Sequence, residues 1–298
     1  MTRKIGVVTV TYNSADVIDA FMESTLSQSH REFELFIIDN ASKDQTLARL
    51  DRCADPRIHL IANDRNLGVA EGNNQGILLS RKFNCDYVLL INNDTEFGAD
   101  LFEAMMAGIE EVGADMVVPK MMFFDPKNVI WCAGGYFKRW LGYVTGHTGQ
   151  GQPDQGQFDN ARRIQYAPTC CMLIKPSVFD RIGLMDARYF VYFDDTDFCW
   201  RALKGGIRLW YHPGTTLYHK VSSLTGGNES DFTFQYGTRN KVYFVLKNLG
   251  PLSIAYCLVL YHFVFLFRLL RGQDSGRVYK LKLKAYVDGM KLYHSRAS

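Results

Sequence analysis

Cysteine is sparse in this chain and forms no recognisable pattern. There are seven, Cys53, Cys85, Cys132, Cys170, Cys171, Cys199 and Cys257, an odd number with no C-x-x-C spacing. That disfavours a disulfide framework or a zinc ribbon and fits a reducing compartment. Two phosphate-binding loops are also missing. Neither G-x-x-x-x-G-K-[ST] nor a G-x-G-x-x-G after the first apolar run occurs, which disfavours a P-loop enzyme and an NAD dehydrogenase. No signal peptide is expected. After Arg3 and Lys4 the apolar run is too short for an h-region and passes into polar Thr11-Tyr12-Asn13. No internal repeat stands out. Charge of one sign is scarce overall, with a net +3 over 298 residues. It is concentrated, however: from Arg268 to the end eight basic residues face two acidic ones, leaving a body of net −3. Such a body is a poor nucleic-acid binder, whereas its tail suits an anionic surface.

What is present is an ordinary globular composition, 47% hydrophobic and 22% charged, which excludes a disordered chain. Short apolar runs at residues 5–10, 35–38, 58–61, 87–91 and 116–118 read as strands. Helical patterns at 15–27, 43–53, 69–82 and 100–112 lie between them. This alternation predicts an α/β fold with right-handed βαβ units and a mostly parallel sheet. Residues 122–165 read as loops with a short hairpin. Beyond them the pattern predicts strands at 170–174, 208–211 and 215–218 and helices at 176–182, 194–204 and 234–248, with a break at Gly250-Pro251. Gly68, Gly72 and Gly76 recur every four residues, and close helix–sheet packing accounts for them best.

Polar clusters follow four of the runs: Thr11-Tyr12-Asn13, Asp39-Asn40, Asn63 to Asn66, and Asn92-Asn93-Asp94. Each alone is ordinary turn chemistry. Together they mark the carboxyl edge of an open α/β sheet, where ligands bind. Asp94, delivered by the apolar run YVLLI, is a candidate oxygen ligand for a divalent cation. Asp194, Asp195 and Asp197 crowd the start of a helix. There the dipole favours anions, and one of the three is a candidate general base. His219 ends a strand and is a candidate metal ligand.

The segments VVTVTYNS (7–14), FIIDNAS (36–42), NLGVAEGNNQG (66–76), LLINNDT (89–95), YFDDTDFCWRA (192–202) and LYHKVSS (217–223) occur in this order. Together they resemble family 2 glycosyltransferases of the GT-A fold, over about residues 5–250. The nearest subset resembles bacterial rhamnosyltransferase-type enzymes of surface polysaccharide synthesis. The resemblance implies a Rossmann-like nucleotide-sugar half (1–120) and a mixed acceptor half (121–250). Thr11, Tyr12 and Asn13 would line the nucleotide pocket, Asp39 would bind the pyrimidine base, and Asn66 and Asn74 would support the nucleotide edge. Asn93 would lie near the ribose or phosphate, Asp94 and His219 would hold Mg2+ or Mn2+, and Asp195 would be the inverting base. Asn92-Asn93-Asp94 stands where the family has D-x-D, and Asp194 where Glu is commoner. The implied donor is a dTDP- or UDP-sugar, and the implied acceptor is a glycan or polyprenyl-linked glycan. A sugar nucleotidyltransferase and a non-catalytic nucleotide-sugar-binding protein are the rival readings.

The segment 251–298 is expected to be helical and membrane-associating. Residues 251–267 carry no formal charge and would span roughly 26 Å as a helix, against a ~30 Å hydrocarbon core. An interfacial anchor at the inner face of the cell membrane, a transmembrane span and a buried core or oligomer helix all remain open for it.

Overall fold

The computed structural model describes residues 3–220 and 230–295. Val221-Ser222-Ser223 of the sixth motif and Arg296 of the basic tail lie outside them. In chain order the first half comprises β1 (Ile5–Thr11), α1 (Ala15–Leu26), β2 (Phe33–Asp39), α2 (Thr46–Leu50), β3 (Ile58–Ala62), α3 (Val69–Lys82), β4 (Tyr87–Ile91), β5 (Thr95–Phe97), α4 (Leu101–Glu111) and β6 (Met116–Phe123). There follow β7 (Ile130–Cys132), β8 (Gly135–Lys138), β9 (Val144–His147), β10 (Arg162–Arg163), β11 (Cys171–Ile174), α5 (Ser177–Ile182), α6 (Asp194–Lys204), β12 (Leu209–His219), α7 (Asp231–Asn248), α8 (Pro251–Leu270) and α9 (Gly276–His294).

Strands β3-β2-β1-β4 run parallel in that order. Ile5, Val7 and Val8 of β1 and Val88, Leu89 and Leu90 of β4 are all fully buried. Such unbroken apolar runs belong to strands covered on both faces. Helix α3 lies close on β1. A Cβ at Gly72 would come 2.7 Å from a Val10 methyl, and one at Gly76 would strike Val8, so these two glycines serve packing. Gly68 differs: it is the residue before the helix, at φ 84°.

The sheet is mixed beyond β4. β11 lies antiparallel between β4 and β6, and β12 runs parallel to β6. Where the sequence suggests two strands at 208–211 and 215–218, the structure has one, β12, with a register shift between Tyr211 and Thr216. Pro213 lacks an N–H and Gly214 follows it, so the ladder breaks without ending the strand. β6 is longer than its apolar core suggested, because it continues through Pro119 and Lys120 alongside the second half of β12. β5 went unseen in the sequence. It is three residues long and pairs antiparallel with β12, setting Thr95 opposite His219. The irregular stretch after Met122 contains β7, the β8–β9 hairpin and the two-residue β10.

The C-terminal helices are capped conventionally. Ser230 and Ser275 side chains accept from Thr233 and Val278 N–H, and Pro251 opens α8. α9 lies along α7 so closely that a Cβ at Gly289 would sit 2.8 Å from Val242 Cβ. All seven cysteines are free, and six of them are buried.

Candidate active site

The carboxyl ends of β1, β2 and β4 meet at one edge. Thr11 Oγ1 donates to Asp39 Oδ1 at 2.9 Å, Ser42 Oγ to the same oxygen at 2.5 Å, and the Ser42 N–H to Oδ2 at 2.9 Å. Thr11 and Asp39 have no exposed surface, so their first effect is to fix the loop after β2. Asn13, at φ 51°, accepts from the Lys43 N–H at 2.8 Å and ties the β1–α1 turn to that loop. Tyr12, 41% exposed, is the aromatic group this edge offers to a ligand.

The asparagines are structural couplers. Asn66 Oδ1 accepts from the Gly68 N–H at 2.9 Å, and Asn40 Nδ2 donates to the Gly68 carbonyl at 3.0 Å. Asn93 Nδ2 donates to the Val10 carbonyl at 2.8 Å and to Ser14 Oγ at 3.0 Å, binding the end of β4 to the β1–α1 turn. Asn74 uses both ends of its amide on the Met185 backbone, each at 2.9 Å. It therefore joins α3 to the segment that leads into α6.

Asp94 and His219 are brought together by the β5–β12 pairing. Asp94 Oδ1 and His219 Nε2 lie 3.1 Å apart, and both side chains are more than nine-tenths buried. Two ligands at right angles on a six-coordinate cation, each at about 2.1 Å, would sit about 3.0 Å apart. His219 Nδ1 is buried and has no hydrogen-bond partner among the described residues. The donor pair thus fits a divalent cation that completes its shell with water and phosphate oxygens. Among the described residues no group of three His, Cys, Asp or Glu side chains forms a closed metal site.

A wall of rings leads from this pair to the acidic helix start. Trp131 lies against His219 with centroids 4.3 Å apart and against His147 at 5.1 Å. His147 stacks on Tyr166 at 5.9 Å, and Tyr166 Oη donates to Asp195 Oδ2 at 2.8 Å. Asp195 Oδ1 accepts from the Thr196 N–H at 2.6 Å and the Thr196 hydroxyl at 3.1 Å. Burial raises the Asp195 carboxyl above its usual range, with the Tyr166 and Thr196 hydrogen bonds opposing. That direction makes it a better proton acceptor. Burial also lowers His147, which favours its neutral form. Trp131, His147 and Tyr166 escape sequence reasoning, since no periodicity or motif marks them.

The three acidic residues at the start of α6 separate cleanly. Asp194 is buried, and burial followed by the Asp195 charge raises its carboxyl. Asp197 is fully buried and serves the frame. It accepts from Arg201 Nε at 2.8 Å, Asn248 Nδ2 at 2.8 Å and Tyr189 Oη at 3.1 Å, and Lys247 Nζ lies 2.8 Å away. Lys247 also pairs with Asp186 at 2.8 Å. Burial alone would raise Asp186, yet Arg188, Lys247 and Tyr243 hold it well below the carboxylate range.

The segment delivering Asp195 is strained. Phe190, Tyr192 and Phe193 all have φ between 62° and 65°. Such backbone persists only when the surroundings dictate it. Asn240 Nδ2 sits 2.7–2.9 Å from the carbonyls of Tyr189, Val191 and Tyr192, and Arg239 reaches those of Arg188 and Tyr189. Gly68 presses from the other side, and a Cβ there would come 2.7 Å from Phe190 Cα. With φ 84° and ψ 172°, Gly68 occupies a region essentially reserved for glycine. Gly68→Ala is expected to cost about 2 kcal/mol or more and to lower the melting temperature by several degrees. An unchanged melting curve would refute this contact.

The family model for glycosyl transferase family 2 matches residues 6–183, ending before Asp195. A Haloferax volcanii protein named low-salt glycan biosynthesis hexosyltransferase Agl10 is 24% identical over 70% of this chain and 64% of its own length. A Mycobacterium tuberculosis N-acetylglucosaminyl-diphospho-decaprenol L-rhamnosyltransferase is 24% identical over 76% of this chain and 79% of its own. The Shigella flexneri dTDP-rhamnosyl transferase RfbF is 23% identical over 98% and 97%. The chain thus spans less than two thirds of the Haloferax relative, and nearly all of the Shigella one. A crystal structure of GalNAc-T7 with UDP, GalNAc and Mn2+ superposes with a TM-score of 0.68 at 15% identity, over 98% of this chain and 56% of that one. The fold is that of GT-A glycosyltransferases, and with three fifths of its length matched by the family model, this chain belongs to glycosyl transferase family 2.

Proposed function

We propose that the chain is an inverting, divalent-metal-dependent transferase. It would move a sugar, rhamnose or another hexose, from a dTDP- or UDP-sugar to a hydroxyl of a lipid-linked glycan in surface polysaccharide synthesis. One observation carries this reading: the Asp94–His219 pair and Asp195 flank one wall of rings, with the nucleotide edge on the Asp94 side. The relatives' names supply the rhamnosyl donor and the lipid-diphosphate acceptor.

In this reading Tyr12 and Asn13 form the nucleotide edge, with Thr11, Asp39 and Asn93 holding its loops. Asp94 and His219 would hold Mg2+ or Mn2+, which when bound would offset charge on the departing diphosphate. Asp195 faces the acceptor. Three of its roughly four acceptor positions are taken by Tyr166 and Thr196, and one on Oδ2 is left for the acceptor hydroxyl. As the acceptor oxygen bonds to C1, Asp195 takes its proton. The bond from C1 to the diphosphate oxygen breaks on the opposite face, and the anomeric centre inverts. The outward face of α8 and the basic α9 would keep the protein at the inner surface of the cell membrane.

The test is transfer from a panel of nucleotide-sugars, with the product anomer assigned by NMR. Asp94→Ala should remove the extra thermal stabilisation that Mn2+ gives in the presence of dTDP or UDP, and His219→Ala should reduce it less. Transfer in excess chelator equal to transfer with Mn2+ or Mg2+ would reject the metal.

A further inference from the structure

Helix α8 carries two apolar stripes. Ile254, Cys257, Leu258, Tyr261 and Phe265 pack inward. On the opposite side Leu252, Val259, Phe263 and Leu270 are 64–89% exposed, at spacings of seven, four and seven residues. A helix apolar all round is normally enclosed, so the outer stripe calls for a cover. Because the inner stripe is packed, α8 cannot be ringed by lipid without leaving the protein. The outer stripe is the face left for a surface to cover.

The tip of the β8–β9 hairpin adjoins this helix. Trp140 is 72% exposed and Leu141 40%. The tip is fastened to α8 by three hydroxyl contacts. Tyr256 Oη donates to the Trp140 carbonyl at 2.6 Å, Tyr261 Oη donates to the Gly142 carbonyl, and Tyr143 Oη lies 3.3 Å from Ser253 Oγ. Gly142, at φ 77°, leaves no room for a Cβ against the Tyr261 ring. Two cations, Lys138 and Arg139, precede Trp140. Arg271, Lys280 and Lys284 are exposed on the turn after α8 and on α9. Exposed aromatic and aliphatic side chains beside cations match an anionic bilayer interface, where tryptophan concentrates.

We propose that the Trp140–Leu141 tip is a second membrane contact, which with the outer stripe of α8 seats the protein on anionic lipid and sets the depth of the acceptor. The proposal rests on the transferase reading above. The other end of the hairpin is His147, stacked on the Tyr166 that holds Asp195. Four residues of β9 extend at most about 13 Å. Adding the tip, the His147–Tyr166 stack and the Tyr166–Asp195 hydrogen bond, the base stands at most about 30 Å from the lipid the tip touches. An acceptor hydroxyl within that reach lies among the first few sugars on the lipid anchor, not at the far end of a long polymer.

The experiment uses the full chain with vesicles of phosphatidylcholine alone or mixed with phosphatidylglycerol. Brominated lipid should quench tryptophan emission, and most of that quenching should disappear in Trp140→Phe, which keeps the vesicle affinity. The double variant Trp140→Ser, Leu141→Ser should lose at least fivefold in partitioning to anionic vesicles, with melting temperature and donor hydrolysis unchanged. Equal quenching in Trp140→Phe, or no vesicle binding by the intact chain, overturns the proposal. So does a dimer in sedimentation that the double variant dissociates, because the face then belongs to a second copy. Absence of donor hydrolysis in every protein would instead strike at the transferase reading and leave the vesicle result standing.

Discussion

Asp195→Asn is expected to lower sugar transfer by at least two orders of magnitude while nucleotide affinity changes less than severalfold. The amide oxygen can still accept from the Thr196 N–H while its NH2 donates to the Tyr166 hydroxyl, so the side chain keeps its place. What it loses is the capacity to take a proton, and positioned general bases contribute about 10²–10⁴-fold. In the proposed function nucleotide binding falls to groups on the other side of the ring wall, which the substitution does not touch. Single-turnover rates and nucleotide titrations separate the two quantities. Retention of more than about a tenth of the rate would remove Asp195 from the base position.

Asp197→Ala, two residues further on, is expected to act on stability, at about 3–5 kcal/mol. Asp197 is the buried anion that Arg201, Lys247, Asn248 and Tyr189 share. Removing it leaves Arg201 and part of Lys247 in the interior without their countercharge, which is the costly way to break a buried pair. Urea unfolding should show the midpoint falling at a nearly constant m-value. A loss under about 1 kcal/mol would mean that the cations find other partners. The contrast with Asp195 is itself informative: neighbouring carboxylates on one helical turn should yield one variant that folds but does not react and one that barely folds.

The first half of the chain was largely legible in the sequence. α3 and β4 match the expected 69–82 and 87–91 to the residue. Their patterns are strong because β4 is buried on both faces and α3 must present glycines to β1. The strand-end clusters also stand where an open α/β sheet should place them. The second half was not legible in detail. Trp131, His147 and Tyr166 sit on strands of three or four residues, or just after one of two, too short for any period to show. The pairing of Asp94 with His219 depends on β5, whose three residues carry no strand signature. Asn74 and Asn93 read as ligand contacts in the sequence; in the structure the Asn74 amide bonds the Met185 backbone, and the Asn93 amide donates to the Val10 carbonyl and the Ser14 hydroxyl. An asparagine does not reveal from its neighbours which partner it will find. The basic tail read as a helical segment meeting an anionic surface; the sequence did not show that α9 is fitted along α7 at Gly289, a contact of distant segments.

The stitching of α3 to the segment before α6 bears on how such proteins can be recombined. Asn74 grips Met185, and Gly68 abuts Phe190, whose carbonyl accepts from the Val69 N–H at 2.7 Å. A chimera joined near residue 120, taking its first half from one relative and its second from another, would cut through these contacts. The graft would inherit a carboxylate aimed by a foreign helix. Changing the acceptor of such a protein by exchange of parts should therefore succeed only when residues 66–76 travel with the segment they hold.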